Sequence, residues 1–324
     1  MDILIVKLGA LGDVINTLPL AMRLKKHLNA RIHWLVAPLS YPMLSDHAWV
    51  DRPIRFDIRG SKQNWLEVLH RLRCRQFDIV LDLQRILKSG VIAWVAAADR
   101  RIGFDRKRCK EMTWLLPFER IPPADPNAHM LIQYLEFGAY LNIDDTEISW
   151  GIKSSGLPPK TLPGRFVVLN IGATKPANRW TVEGFADLVR SIRRTYQLPC
   201  VLTGGAEDVA MAAMIQALAN DDVYSLAGRT SLPELIDVIA AAAVVVTCDT
   251  GPMHLAVALE KKVVALFGPS DHRRTGPFRG TVVRATCACA PCNRKACAVP
   301  TCMQAIRPAQ VMAALENHLK ASFR

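Results

Sequence analysis

The sequence predicts an α/β protein of two Rossmann-like halves, each a parallel sheet flanked by helices. Three observations carry this. Short Val/Ile-rich runs such as "ILIV", "FDIVLDL" and "VVVTC" are the strands of sheets buried on both faces. They alternate with longer amphipathic runs, the order that builds a parallel sheet. The alternation stops at "KSSGLPPKTLPG", 153–164, and then restarts, as a linker between domains does. At 324 residues the chain also exceeds the ~100–200 residues of a single domain.

In order, "ILIV" reads as a strand, "VINTLPLAMRLKKHL" as a helix and "RIHWLVA" as a strand. "FDIVLDL" is a strand followed by the helical "KSGVIAWVAAA". After the linker, "RFVVLNIGA" precedes "TVEGFADLVRSIRRTY", and "PCVLTGG" precedes "EDVAMAAMIQALAN". Next, "SLPELIDVIAAA" leads into "VVVTC", and "MHLAVALE" into "KKVVALFG". The closing "RPAQVMAALENHLKASF" reads as one last amphipathic helix. The expected units are residues 1–158, 159–306 and a terminal helix in 307–324.

Half of the residues are hydrophobic and 22% are charged, which fits a buried core and not disorder. The net charge of +12 suits an anionic partner, although solubility alone also accounts for such an excess. No secretory leader is visible, and no apolar run nears the ~20 residues of a spanning helix. The expectation is a cytoplasmic protein, at most peripheral to a membrane. Of nine cysteines, five cluster as Cys287, Cys289, Cys292, Cys297 and Cys302. That spacing fits no standard zinc finger and leaves open a bound metal, a loop of thiols or a facultative disulfide. The absence of GxGxxG, GxxxxGK[ST], GxSxG and HExxH takes support from NAD enzymes, P-loop NTPases, α/β hydrolases and common zinc proteases.

Ligands of doubly wound sheets sit beyond the carboxyl ends of the strands, so the residues just after each strand are informative. "LGALGDV" places Gly9, Gly12 and Asp13 there. Asp13 either caps the next helix or takes a proton from a ligand. In "CDTGPMHLA", Asp249, Thr250 and Gly251 precede a helix whose N-terminus favours an anion, and His254 follows one turn later. Alternatively, Asp249 is a cap and His254 a packed residue. "GATKPANRW" offers Lys175 and Arg179 to a diphosphate, or to solvent. "GGAED" offers Glu207 to ribose hydroxyls, or to the helix dipole.

Three stretches in this order resemble the bacterial ADP-heptose–lipopolysaccharide heptosyltransferases, glycosyltransferase family 9. They are "ILIVKLGALGDVINTLP", "NIGATKPANRW" and "GRTSLPELIDVIAAAAVVVTCDTGPMHLAVALEKKVVALFGPSD". The segment "DLQRILKSG", Asp82 to Gly90, is similar to the family's first-heptose enzymes, and the Cys-rich segment is similar to one that many members carry. The resemblance implies a GT-B fold: two Rossmann-like domains facing across a cleft, with the terminal helix packing back on the first. It implies an inverting, metal-independent enzyme without cofactor, moving L-glycero-D-manno-heptose from ADP-heptose to the Kdo-lipid A inner core of lipopolysaccharide. Asp13 is then the general base. The donor falls to Thr174, Lys175, Arg179, Glu207, Thr230, Asp249, Thr250, Gly251 and His254. Many members carry a phosphate lysine where this chain has Asn178, so Lys175 or Arg179 would supply that charge. An acidic acceptor would meet Gly9, Gly12, Arg55, Arg59, Lys62, Lys88, Arg106 and Arg108, with Lys107 and Lys110 in the same basic run. The expected partners are the donor, the inner-core acceptor and the cytoplasmic face of the inner membrane.

Two other readings stand beside this one. A family member could serve a later core position or a protein acceptor. A basic α/β protein could bind nucleic acid, but aromatics are only 7% of the chain and do not interleave with the basic clusters as such binders require.

Overall fold

A computed structural model describes residues 1–220 and 223–320. The chain divides into two compact units, Met1–Ile152 and Lys153–Arg324. The division falls at the start of the predicted linker, six residues before the expected 158/159 boundary. Residues 153–166 belong to the second unit because Ser154 and Ser155 hydroxyls both donate to the Asp237 carboxylate, at 2.7 and 2.6 Å.

The first unit runs β1 (Asp2–Val6), α1 (Leu11–Leu28), β2 (Arg31–Val36), α2 (Tyr41–Leu44), β3 (Arg52–Arg55), α3 (Lys62–Arg73), β4 (Phe77–Asp82), α4 (Leu87–Val95), β5 (Ala98–Gly103), β6 (Glu119–Arg120) and α5 (Met130–Tyr140). Its six strands lie in the order β3-β2-β1-β4-β5-β6, with every pair parallel. Strand order therefore reverses between β1 and β4, the switch point at which such sheets bind ligands. Residues Ile3 to Val6 are fully buried, which is why β1 reads as an unbroken apolar run. Helix α1 ends at Asn29, in the left-handed conformation at φ 46°, with Lys25, Lys26 and His27 in its last turn. Both features favour termination there.

The second unit runs β7 (Val167–Asn170), α6 (Val182–Tyr196), β8 (Cys200–Thr203), α7 (Val209–Ala219), β9 (Val223–Ser225), α8 (Leu232–Ala241), β10 (Val244–Cys248), α9 (Gly251–Ala258), β11 (Val263–Phe267), α10 (His272–Thr275), β12 (Thr281–Arg284), α11 (Thr301–Gln304) and α12 (Pro308–Leu319). Its sheet repeats the first: β12-β11-β10-β7-β8-β9, again all parallel. The reversal here lies between β7 and β10. Thr181 and Ser231 cap α6 and α8 by accepting from the backbone N–H three residues on, as their sequence positions suggest.

The terminal helix α12 takes part in the core of the second unit. Val311, Ala314, Leu315 and Leu319 of α12 are buried in the core of the second unit itself, with Ile192 of α6 and Val244 of β10. Residues 321–324 of the expected terminal segment lie outside the described residues.

Candidate active site

In the first unit the site forms at the β1/β4 switch point. Gln84, two residues past β4, accepts from the backbone N–H groups of Leu8 and Gly9 at 3.1 and 3.4 Å, so one side chain ties the ends of the two strands together. The N-cap of α1 is Ala10, which has no side chain able to cap. Asp13 sits in the first turn of α1 and does something other than capping. Its Oδ2 accepts from Lys7 Nζ at 3.0 Å, and its Oδ1 accepts from the Tyr134 hydroxyl at 3.0 Å. The Lys7 side chain is 2% exposed and that of Asp13 34%.

Burial works to raise the Asp13 carboxyl. The attraction and hydrogen bond of Lys7, the Tyr134 hydroxyl and the charge of Arg85 outweigh it, and the group is held below the usual carboxylate range. Burial lowers the Lys7 ammonium despite the pull of Asp13. Asp82, at the end of β4, is 3% exposed. Its oxygens accept from Ser89 Oγ at 3.0 Å and from the Gln84 backbone at 3.2 Å. Burial nonetheless pushes its carboxyl up to about 6. Two carboxyls that both act on Lys7 are thus set apart in acidity by their surroundings, one reachable and held low, the other buried and raised to about 6.

In the second unit, Thr250 is the N-cap of α9, its side chain makes no capping bond, and the first turn carries no acid. Gly251 opens the helix beside it, Pro252 supplies no N–H, and His254 is buried one turn in. Asp249 is not a cap: its Oδ2 accepts from Asn178 Nδ2 at 3.1 Å. Asn178, 2% exposed, also donates to Ser270 Oγ at 3.0 Å. It joins the loops after β7, β10 and β11. This position therefore serves as an internal brace, and its buried amide is not a phosphate contact. Arg179 pairs with Asp208 at 2.6 Å, Asp208 being 1% exposed. Asp208 fits under the loop because Gly172 and Gly204 have no Cβ; one built on Gly172 would lie 2.5 Å from Asp208 Oδ2. With Arg179 committed to Asp208, the half-buried Lys175 is the better cation for a ligand. Thr174 and Glu207 are exposed and Thr230 half-buried.

Among the basic residues, Arg55, Arg59, Lys62, Lys88, Arg106, Lys107 and Lys110 are exposed, and Arg106 lies over the Trp114 ring at 5.7 Å. Arg108 is a correction. Its side chain is 1% exposed, paired with Asp105 and Glu136, and it donates to the Pro122 carbonyl at 3.1 Å. Its guanidinium is consumed inside the unit and has nothing left for an acceptor. The thiols of Cys287 and Cys289 lie 3.4 Å apart, and Cys289, Cys292, Cys297 and Cys302 line a cavity of about 210 Å³. Among the described residues no three His, Cys, Asp or Glu side chains are grouped to hold one metal ion. A larger cavity of about 460 Å³ lies beyond β11 and β12, with Ser270, His272, Arg273 and Arg284 in its wall.

The sequence reading missed Lys7, Tyr134, Asp82 and Gln84 as site residues. Asp82 and Gln84 lie in the stretch singled out for its resemblance. Lys7 directly ends the β1 run, and a lysine there is visible as an oddity. Tyr134 carries no local signal, since α5 itself was not read as a helix.

Two parallel six-stranded sheets of the same strand order, each with its polar residues at the switch point, are the architecture of a GT-B-type fold. The chain aligns over 98% of its length, and all of the other's, with "E. coli heptosyltransferase WaaC with ADP", at TM-score 0.80 and 23% identity. The description "Glycosyltransferase family 9 (heptosyltransferase)" matches residues 65–303; the chain belongs to this family. It is similar to lipopolysaccharide heptosyltransferase 1 of Pseudomonas aeruginosa, 26% identical over 99% of both chains. It is also similar to the lipopolysaccharide core heptosyltransferase OpsX of Haemophilus influenzae, 24% identical over 85% of this chain and 81% of that one.

Proposed function

We propose that the protein moves L-glycero-D-manno-heptose from ADP-heptose to the Kdo-lipid A inner core of lipopolysaccharide, with inversion at the anomeric carbon. The observation that supports this most is Asp13: an ionised, partly exposed carboxylate at the switch point of the first sheet, braced on both oxygens. In the reaction an acceptor hydroxyl oxygen attacks the anomeric carbon. The bond from that carbon to the diphosphate oxygen breaks, and ADP leaves with the electron pair. The hydroxyl proton passes to Asp13. A carboxylate so stabilised is a weak base in the ground state, and it becomes effective late, when the attacking oxygen has turned acidic; such help contributes ~10²–10⁴-fold.

The leaving diphosphate is assigned to the N-terminus of α9, through Thr250 and Gly251, and to Lys175 with Thr174; Asp249 and His254 organise that corner. Glu207 and Thr230 are assigned to the nucleoside. This arrangement draws its charge compensation from the protein, so EDTA is expected to leave turnover unchanged. Gly9 and Gly12 leave room for the acceptor sugar beside Asp13. The acceptor's carboxylates and phosphates are assigned to Arg55, Arg59, Lys62, Lys88 and Arg106. Leu87 and Trp94 of α4, with Met112 and Leu115, are large exposed apolar residues close in sequence to Lys88, Arg106, Lys107 and Lys110. This mixture suits a peripheral enzyme at an anionic lipid surface. No helix among the described residues is long and apolar enough to cross a membrane.

The test is calorimetry with ADP and ADP-heptose, run beside a turnover assay on Kdo₂-lipid A. Wild type and Asp13→Ala should bind ADP alike, and only wild type should release ADP. Binding of ADP-heptose without turnover would redirect the acceptor to a later core sugar or a protein. Failure of any ADP ligand to bind would sink the donor assignment.

A further inference from the structure

We propose that Tyr134 is a positioning residue that, with Lys7, fixes the plane of the Asp13 carboxylate and reserves its outward lone pairs for the acceptor hydroxyl. This rests on Asp13 being the base. Tyr134 is fully buried, its ring packed edge-on to Phe104 with centroids 6.4 Å apart. A buried phenol needs a hydrogen-bond partner, and this one donates to Asp13 Oδ1 at 3.0 Å. Lys7 Nζ holds Oδ2 at the same distance and lies 5.1 Å from the Tyr134 ring centroid. The two donors come from opposite ends of the unit, the residue after β1 and the middle of α5. A carboxylate gripped on one oxygen still swings about its Cβ–Cγ bond. Gripped on both, it does not, and each oxygen retains one lone pair for a further proton.

The surrounding charges agree. Arg85, after β4, adds a second attraction to Asp13, and Asp82 acts on Lys7 from the end of β4. The Tyr134 hydroxyl is the uncharged member of this set, so its loss changes orientation and acidity without leaving a buried charge unpaired.

Tyr134→Phe keeps the ring and its packing. Two readouts on the full chain test the role. The first is a carbon-13 NMR titration of aspartate carboxyls, with the Asp13 signal assigned by its absence in Asp13→Asn. The second is the pH profile of kcat with ADP-heptose and Kdo₂-lipid A. Removing a donor to a carboxylate raises its pKa, so Asp13 should titrate higher in Tyr134→Phe. The acid limb of kcat should move up with it, and kcat should fall about tenfold above that limb while KM for the donor stays put. An unchanged Asp13 titration and acid limb, with Asp13→Asn inactive, overturns the role of Tyr134 and spares the base assignment. Full turnover by Asp13→Asn overturns both.

Discussion

The two units place opposite chemistry at the switch points of their sheets, on the β1 side in the first and on the β10 side in the second. Helices α1 and α9 each follow a strand at the point where sheet order reverses, and neither N-cap side chain makes a capping bond. Helix α1 brings its own anion, Asp13, into the first turn, while α9 carries no acid there. The positive end of one helix is thus spent on holding a protein carboxylate, and that of the other is available to a ligand's phosphates. In the proposed reaction one corner prepares a base and the other a leaving group. The bracing differs to match: a charged grip of Lys7 on Asp13 in the first unit, and the neutral amide of Asn178 on Asp249 and Ser270 in the second.

The comparison can be broken from either side. The largest expected effect is on the first corner. Asp82 carries a carboxyl near 6 in the folded protein against a usual 3.8, so its contribution to stability is full below about pH 4 and is lost as pH rises through about 6. Asp82→Asn cannot titrate. Relative to wild type it should gain about 3 kcal/mol between about pH 3 and pH 8, read by denaturant unfolding at each pH. A difference that is flat with pH would mean that Asp82 is ionised like any surface acid. Next in size, Asn178→Ala should lose about 2 kcal/mol of stability, because it removes the amide's hydrogen bonds to Asp249 and to the buried Ser270. It should also weaken ADP binding while leaving the Asp13 titration untouched. Movement of that titration would show that the two corners are not independent. Smallest, Lys175→Ala should weaken ADP binding about tenfold, or about 1.4 kcal/mol, and the difference should shrink at high salt. Equal binding by this variant would return the phosphate charge to Arg179.

How much was legible follows the same physics. The interior strands announce themselves because both faces are buried: β1, β7, β10 and β11 read as near-continuous apolar runs, and β4 as an apolar run broken by Asp78 and ended by Asp82. The strands that went unread are β3, β5, β6, β9 and β12. They are short or lie toward the sheet margins, and they carry residues such as Arg52, Arg55, Arg100 and Arg101 that solvent tolerates. Helix α3 is mostly polar and α5 apolar on several sides, so neither shows a clean stripe. At the site, the strand-end motifs were legible because a turn, a glycine and a carboxylate lie together in sequence. The grips on them were not. Tyr134 reaches Asp13 across 121 positions and Asn178 reaches Asp249 across 71. Arg108 misled for the mirror reason: in sequence it sits among exposed basic neighbours, while in the fold Glu136 of α5 claims it.

That Asp13 is held by the last helix of its unit bears on synthesis. A ribosome releases β1 and α1 first, and Tyr134 leaves the exit tunnel only after more than a hundred further residues. Until α5 docks on α1, the nascent unit holds its acid by Lys7 alone, and the sheet beneath waits on parallel pairings that are intrinsically slow to close. The chemistry of the first corner is therefore completed by the same event that seals the unit. A chain truncated before residue 130 would carry every residue of "LGALGDV" and lack the hydroxyl that holds Asp13 Oδ1.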